Sequence, residues 1–347
     1  MEKETKKILL INNAYPTKNY PKRGNYIKAI EDCLLEAGLI VDRLVLNSDY
    51  NSKLQKAYAY FNFYLRILVF KKYGQYDYVY IHHFATYFIP LTIHLRRIKR
   101  VVINFHGGDI IPTSFMAKAA NIMSYKLMLP SYTYIAPSEY FKTKVKETIS
   151  KLRNSTFIVS PSGGVDTKLF CPQSDYKTSN KKTSVGFASG IDYNKGVEDL
   201  IYVIKKYRSN NIEFHIINFG KHQEKYLDQI KSFHNVVMHG TYKKTEMPKF
   251  YAKIDVLFFP TKSESLGLVG LEAMSCGVPV IGPDDFALKK FIVPGISGEK
   301  YNSSIKHAYT EAMENFLTKK GSYEPTSIIK RSYSKEYVVT QFKSIFS

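Results

Sequence analysis

Apolar positions along the chain alternate between short unbroken runs and stretches of helical period. Lys7-Ile8-Leu9-Leu10-Ile11-Asn12-Asn13 is an unbroken run, as a strand covered on both faces requires. After the loop 14–24, Ile27, Ile30, Leu34 and Leu35 recur at helical spacing, which predicts a helix over 25–37 that Gly38 stops. A second strand is expected over 41–46. Such a β-loop-α-β opening predicts a doubly wound parallel sheet. Further strands are expected over 77–83, where the run ends in His82-His83, and over 101–105 and 157–160. The run 132–139 reads as a strand ending at a helix capped by Ser138.

The polar stretch 173–183 reads as a linker, after which the pattern restarts. Strands are expected over 184–189, 214–220, 236–240 and 255–260, with helices over 197–207 and 246–253. A last helix over 335–346 is expected to cross back onto the first half. The domains expected are therefore 1–165 with 334–347, and 166–333. The segment 54–73 has apolar and aromatic residues on much of its circumference. It reads either as a helix packed on the sheet or as one lying on a membrane surface. In the second case Arg66, Lys71 and Lys72 meet anionic lipid, and Arg96, Arg97, Lys99 and Arg100 extend the basic face.

The stretch 261–285 carries the densest chemistry. Pro260 ends the strand before it, because proline cannot donate to the ladder. A turn over 263–267 and a helix over 268–276 follow, with Gly277 just past the helix end and a new strand starting at 278–281. A helix start in this setting offers backbone N–H groups to an anion, here those of Gly267, Leu268 and Val269. Glu264 and Glu272 flank it. On one straight helix eight positions span roughly 12 Å, too far to share a proton or a metal. Two acids at opposite ends of one elongated ligand, with phosphates between them, fit better.

The run ESLGLVGLEAMSCGVPVI at 264–281 resembles the signature of family 4 glycosyltransferases, retaining enzymes of the GT-B fold, in which two Glu are separated by seven residues. Leu266 stands where Phe is usual. Other landmarks resemble the family in order. They are Gly24 in the first loop, His106-Gly107-Gly108-Asp109, PSGGVD at 161–166 with Phe170-Cys171-Pro172, Lys195-Gly196, and a turn at 294–299. Gly190 stands where the family has an Arg that grips phosphate. The resemblance implies two Rossmann-like doubly wound domains facing a central cleft, the first binding acceptor and the second a nucleotide-sugar. Glu272 would take the ribose, and Lys195 with Gly24 and the amides of Gly267, Leu268 and Val269 the diphosphate. Glu264 and His106 would be the catalytic pair at the transferred sugar. The donor implied is a UDP-, GDP- or ADP-sugar, with no metal and no cofactor. The acceptor implied is a glycan, lipid-linked, in capsule or O-antigen synthesis.

Composition adds two constraints. The 347 residues hold 50 Lys and Arg against 30 acids, a formal charge of +20, and residues 1–160 alone hold 24 against 11. Such an excess calls for an anionic partner: phosphorylated substrate, an anionic membrane surface or nucleic acid. No nucleic-acid module is recognisable, yet a basic nucleic-acid-binding protein and a GT-B nucleotide-sugar epimerase stay open as alternatives. The first loop has no G-x-G-x-x-G, against an NAD enzyme. Cys33, Cys171 and Cys276 form no disulfide framework, and no run of about 18 apolar residues exists. With no signal-peptide layout at the start, the expected location is the cytoplasm, peripheral at the inner face of the plasma membrane.

Overall fold

The computed structural model describes residues 5–20, 23–112, 114–173, 182–208, 211–220, 223–319 and 322–347. The chain divides into two compact units, Met1–Gly164 with Lys335–Ser347, and Val165–Ser334. Of the linker expected over 173–183 and the first loop, residues 174–181 and 21–22 lie outside the described residues.

The first unit runs β1 (Lys7–Asn12), α1 (Asn25–Glu36), β2 (Ile40–Val45), α2 (Lys53–Val69), β3 (Tyr78–His82), α3 (Phe88–Thr92), β4 (Val101–Asn104), α4 (Gly107–Ile110), α5 (Phe115–Leu127), β5 (Thr133–Ala136), α6 (Glu139–Thr148) and β6 (Phe157–Val159). Its six strands are parallel in the order β2-β1-β3-β4-β5-β6. The alternation of a strand sends successive side chains to opposite faces. Ile8 and Leu10 pack with Ile27, Ile30 and Leu34 of α1, while Leu9 and Ile11 pack with Phe63 and Ile67 of α2. That two-sided burial is why β1 reads as an unbroken apolar run. Helix α2 ends at Val69, short of the expected 73, because the chain turns extended at Phe70.

The second unit runs β7 (Thr183–Phe187), α7 (Val197–Lys206), β8 (Ile212–Ile217), α8 (Glu224–Lys231), β9 (Val236–His239), α9 (Met247–Tyr251), β10 (Val256–Phe258), α10 (Leu268–Ser275), β11 (Val280–Pro283), α11 (Leu288–Phe291), β12 (Gly298–Tyr301), α12 (Tyr309–Thr318) and α13 (Thr326–Ser332). Its sheet is also parallel, in the order β12-β11-β10-β7-β8-β9. Val256 and Phe258 face one core, and Leu257 and Phe259 the other. The final helix, α14 (Lys335–Ile345), belongs to the first unit as expected. It buries Val338 and Phe342, and Phe346 follows just past its end, against α1 and the sheet. Each such side chain contributes about 2 kcal/mol. No described helix is long and apolar enough to cross a membrane.

Candidate active site

In an open α/β sheet, ligands gather beyond the carboxyl ends of the strands where strand order reverses. In the second sheet that place lies between β7 and β10. The loop after β7 and the loop after β10 are laced together there. Lys262 donates its backbone N–H to the Asn194 carbonyl (2.9 Å), and Thr261 donates Oγ1 to the same oxygen (3.4 Å). The Asp192 carboxylate accepts from the Asn194 N–H (2.9 Å) and so fixes the turn that presents Lys195. Gly196 has φ +76°, and a Cβ there would lie 2.0 Å from the Pro260 carbonyl oxygen. Only glycine lets the two loops approach this closely.

This lacing brings two of the expected residues together. Lys195 Nζ donates to Glu264 Oε1 at 2.5 Å, with both side chains partly buried. Just after Glu264, Gly267 begins α10 with φ +85°, a left-handed conformation that favours glycine. No side chain caps α10. The first bond back to its start runs from the Gly270 N–H to the Gly267 carbonyl (3.0 Å). Leu268 and Val269 are the N-terminal amides of the helix, which lacks an intrahelical acceptor for them.

Glu272 stands one turn further along α10. Burial pushes its carboxyl up to about 7, while the Lys244 ammonium and a hydrogen bond from Tyr251 pull the other way. The Tyr251 hydroxyl donates to the Val269 carbonyl (3.3 Å) and reaches Glu272 Oε2 at 3.5 Å. By surface area the residue is only half-buried, so solvent still reaches it. A poorly solvated carboxylate with some open face is an acceptor in want of donors, which a pair of hydroxyls would supply.

At Gly190, φ is +94° and a Cβ would lie 3.0 Å from the Phe219 ring. An Arg side chain at this position would meet that ring. Arg23 of the first loop donates to the Ser48 carbonyl (2.6 Å) and lies against the rings of Tyr20 and Tyr50. At the end of β9, His239 Nε2 lies 2.9 Å from His215 Nδ1. Burial first, and His215 second, lower the His239 pKa to about 4.

Gly24 and His106 lie in the first unit. Gly24 (φ +71°) starts α1, and a Cβ on it would lie 2.7 Å from the Ala14 carbonyl oxygen. Two residues on, Tyr26 packs edge-on against His106, with ring centroids 4.8 Å apart. His106 precedes α4, and its backbone N–H donates to Asp109 Oδ2 (2.6 Å). Its Nε2 lies 3.0 Å from Nδ1 of the fully buried His82. Burial drives the pKa values of both rings well below the ordinary histidine value, with His83 nearby acting in the same direction. His83 behaves oppositely. Burial would lower its pKa, but the Asp109 carboxylate 3.5 Å away raises it. The result is a neutral His106 beside a His83–Asp109 pair.

Sequence reasoning missed Tyr26, His83, Lys244 and Tyr251 as neighbours of the expected residues. Tyr26 and His83 carried a local signal, lying beside Gly24 and at a strand's carboxyl end. Lys244 and Tyr251 carried none, since only the fold brings the segment after β9 alongside α10. Among the described residues no group of three or more His, Cys, Asp or Glu could hold a metal ion.

Residues 173–335 match the family model described as Glycosyl transferases group 1. An uncharacterized 41.2 kDa protein in the cps region of Klebsiella pneumoniae is 24% identical, covering 73% of this chain and 72% of its own length. An uncharacterized glycosyltransferase of Methanocaldococcus jannaschii is also 24% identical, over 71% of this chain and 67% of its own. Among solved structures, sucrose-phosphate synthase from Thermosynechococcus elongatus superposes with a TM-score of 0.80 at 15% identity, covering 98% of both chains. Anabaena HepE in complex with UDP-glucose superposes with a TM-score of 0.69 at 15% identity, over 98% of this chain and 99% of that one. With two six-stranded parallel sheets of this architecture and a group 1 domain over the second, the chain is a glycosyltransferase of the GT-B fold.

Proposed function

We propose that the protein is a retaining family 4 enzyme that transfers a sugar from a nucleotide-sugar to a lipid-linked glycan during surface polysaccharide assembly. The observation that carries the donor half is the Lys195–Glu264 pair at 2.5 Å, set at the start of α10 with Glu272 one turn beyond. A cation, a helix N-terminus and a carboxylate in that order match a diphosphate followed by a ribose. The UDP-glucose held by the HepE relative supports a donor of the same class.

Negative charge grows on the leaving diphosphate as the glycosidic C–O bond breaks. Lys195 and the amides of Leu268 and Val269 stabilise it there. With Gly190 where the family has a second cation, the helix start carries a larger share of that charge. Glu272 accepts from the ribose hydroxyls. Once the diphosphate draws Lys195 away, Glu264 is released to hold the sugar. His106, held neutral, offers a ring nitrogen to a sugar hydroxyl. The acceptor hydroxyl bonds to the anomeric carbon on the face the leaving group vacates, and its proton passes to the leaving phosphate oxygen. Lys195 and the amides do the work a divalent ion would otherwise do, so transfer persists in excess chelator.

A panel of UDP-, GDP- and ADP-sugars with a glycosylated lipid-phosphate acceptor tests the reading. Acceptor-dependent release of one nucleoside diphosphate is expected. A product still attached to nucleotide, with the sugar epimerised and no acceptor needed, would refute it.

A further inference from the structure

The polarity of α5 is reversed. Its buried residues are Asn121 and Ser124, while Phe115 is 86% exposed, Met116 is 82% exposed and Met123 is half in solvent. The polar side is the anchored one. Asn121 Nδ2 donates to the Gly108 carbonyl (3.0 Å) and the Tyr125 hydroxyl to the Asp109 carbonyl (2.6 Å), so α5 is fastened to the loop that carries His106. Facing it, α2 buries Ala59, Phe63 and Ile67. Its other side shows a second apolar stripe at helical spacing: Leu54, Tyr58, Phe61, Leu65 and Leu68, all exposed. With Ile89 and Ile93 of the α3 region, these helices enclose an open apolar groove of about 790 Å³. An exposed apolar surface of this extent needs an occupant.

Charge identifies the occupant. From Tyr50 to Ser138 the chain has eleven Lys and Arg and only two acids, Asp77 and Asp109. Asp109 is buried, and Asp77 accepts from the Lys7 backbone N–H. The exposed cations Lys53 and Lys56 begin α2, Lys71 and Lys72 follow its end, Arg96 and Arg97 follow α3, and Lys118 and Lys126 lie on α5. Arg66 is exposed too, and its Nη1 donates to the Val45 carbonyl (3.2 Å). Apolar side chains amid cations, with almost no exposed acid, match a leaflet of anionic lipid.

We propose that the α2–α3–α5 face docks on an anionic membrane leaflet and that the groove takes the hydrocarbon chain of a leaflet lipid. Because the buried side of α5 is bonded to the Gly108 and Asp109 carbonyls, docking of its exposed side leaves the His106 loop behind the helix, about 10 Å from the leaflet. The inference stands apart from the donor reading, since it concerns only this face.

The protein contains no tryptophan, so Met123→Trp introduces a single indole reporter in the groove, and Ile305→Trp, at an exposed position of the second unit, serves as control. Vesicles of phosphatidylglycerol with phosphatidylcholine, brominated along the acyl chains, should quench the fluorescence of the Met123→Trp variant at least threefold and leave the Ile305→Trp variant bright. Phe115→Asn with Met116→Asn, both fully exposed positions, should weaken vesicle partitioning at least tenfold. Lys71→Glu with Lys72→Glu should weaken it at least tenfold at low salt and little at high salt. Release of nucleoside diphosphate with a water-soluble acceptor should stay unchanged in both, so failure here is distinct from failure of the donor reading. A Met123→Trp variant left unquenched by these vesicles would overturn the proposal. So would a wild type that dimerises without lipid and becomes monomeric in Phe115→Asn/Met116→Asn, which would assign the groove to a second copy of the chain.

Discussion

The two sheets reverse strand order at different places, and the chemistry gathered at each reversal differs. The second sheet, with the order of a dinucleotide-binding fold, reverses between β7 and β10 and collects charge: Lys195, Glu264, a helix N-terminus and Glu272. The first sheet reverses between β1 and β3 and collects rings, Tyr26, His82, His83 and His106, with Asp109 paired to His83. A diphosphate needs opposing charge at its binding place, and in the proposed reading Lys195 and the start of α10 would supply it. Reacting sugar hydroxyls need neutral donors and acceptors that do not compete as ions, and in the proposed reading His106, whose pKa burial drives down, would meet that need. The difference teaches that one architecture can be turned to either task by which residues sit in the loops after two neighbouring strands.

The sharpest break of this comparison is to remove one residue from each side. His106→Ala and Glu264→Ala should each lower the turnover of transfer by roughly 100-fold or more, while donor affinity shifts by only a few-fold in His106→Ala. Steady-state kinetics beside equilibrium titration separates the two. A smaller loss follows from Lys195→Ala. A charge-assisted hydrogen bond to phosphate is worth about 1.5–3 kcal/mol, so nucleoside diphosphate affinity should fall roughly 10- to 100-fold. Calorimetry reads this, and equal affinities would place the phosphates elsewhere.

Much of this was legible in the chain itself. Unbroken apolar runs predict strands buried on both faces, and β1, β3 and β10 follow because helices cover both sides of the sheets. The ends differ by a few residues where a strand runs into its loop, as at β8, which stops at Ile217 rather than 220. Phe115–Leu127 was not read as a helix, since its exposed face is the apolar one and its buried face carries Asn121 and Ser124. The site was legible as sequence neighbours only. Glu264, Gly267 and Glu272 share one stretch, but the 69-residue separation of Lys195 from Glu264, and the approach of Lys244 and Tyr251 to Glu272, are products of strand order.

Glu272 sharpens the comparison through stability. Its folded pKa, about 7, lies above its ordinary value of 4.5, so the folded state holds the proton more tightly than the unfolded one. Stability is therefore lost as pH rises between those values. Glu272→Gln should stabilise the protein by about 1–3 kcal/mol at pH 8 and by nothing at pH 4, while weakening donor binding. Thermal unfolding at the two pH values checks it. A stabilising change that impairs binding marks a residue kept for function. A smaller effect is expected at Gly267. An alanine there must hold φ +85° with its Cβ 3.2 Å from the Phe291 ring, at a cost of about 1–2 kcal/mol. Gly38→Ala, at φ +84° with open space around it, should cost less.

The central claim is that a ribose diphosphate lies along the start of α10, sugar ring toward Glu272 and phosphates toward Lys195. Titrating the preferred nucleoside diphosphate and its 2′,3′-dideoxy analogue into wild type and Glu272→Ala tests it most directly. The account predicts that wild type favours the ribonucleotide at least tenfold and that Glu272→Ala binds the two alike. A wild type indifferent to the missing hydroxyls, or a Glu272→Ala that keeps the preference, would contradict it.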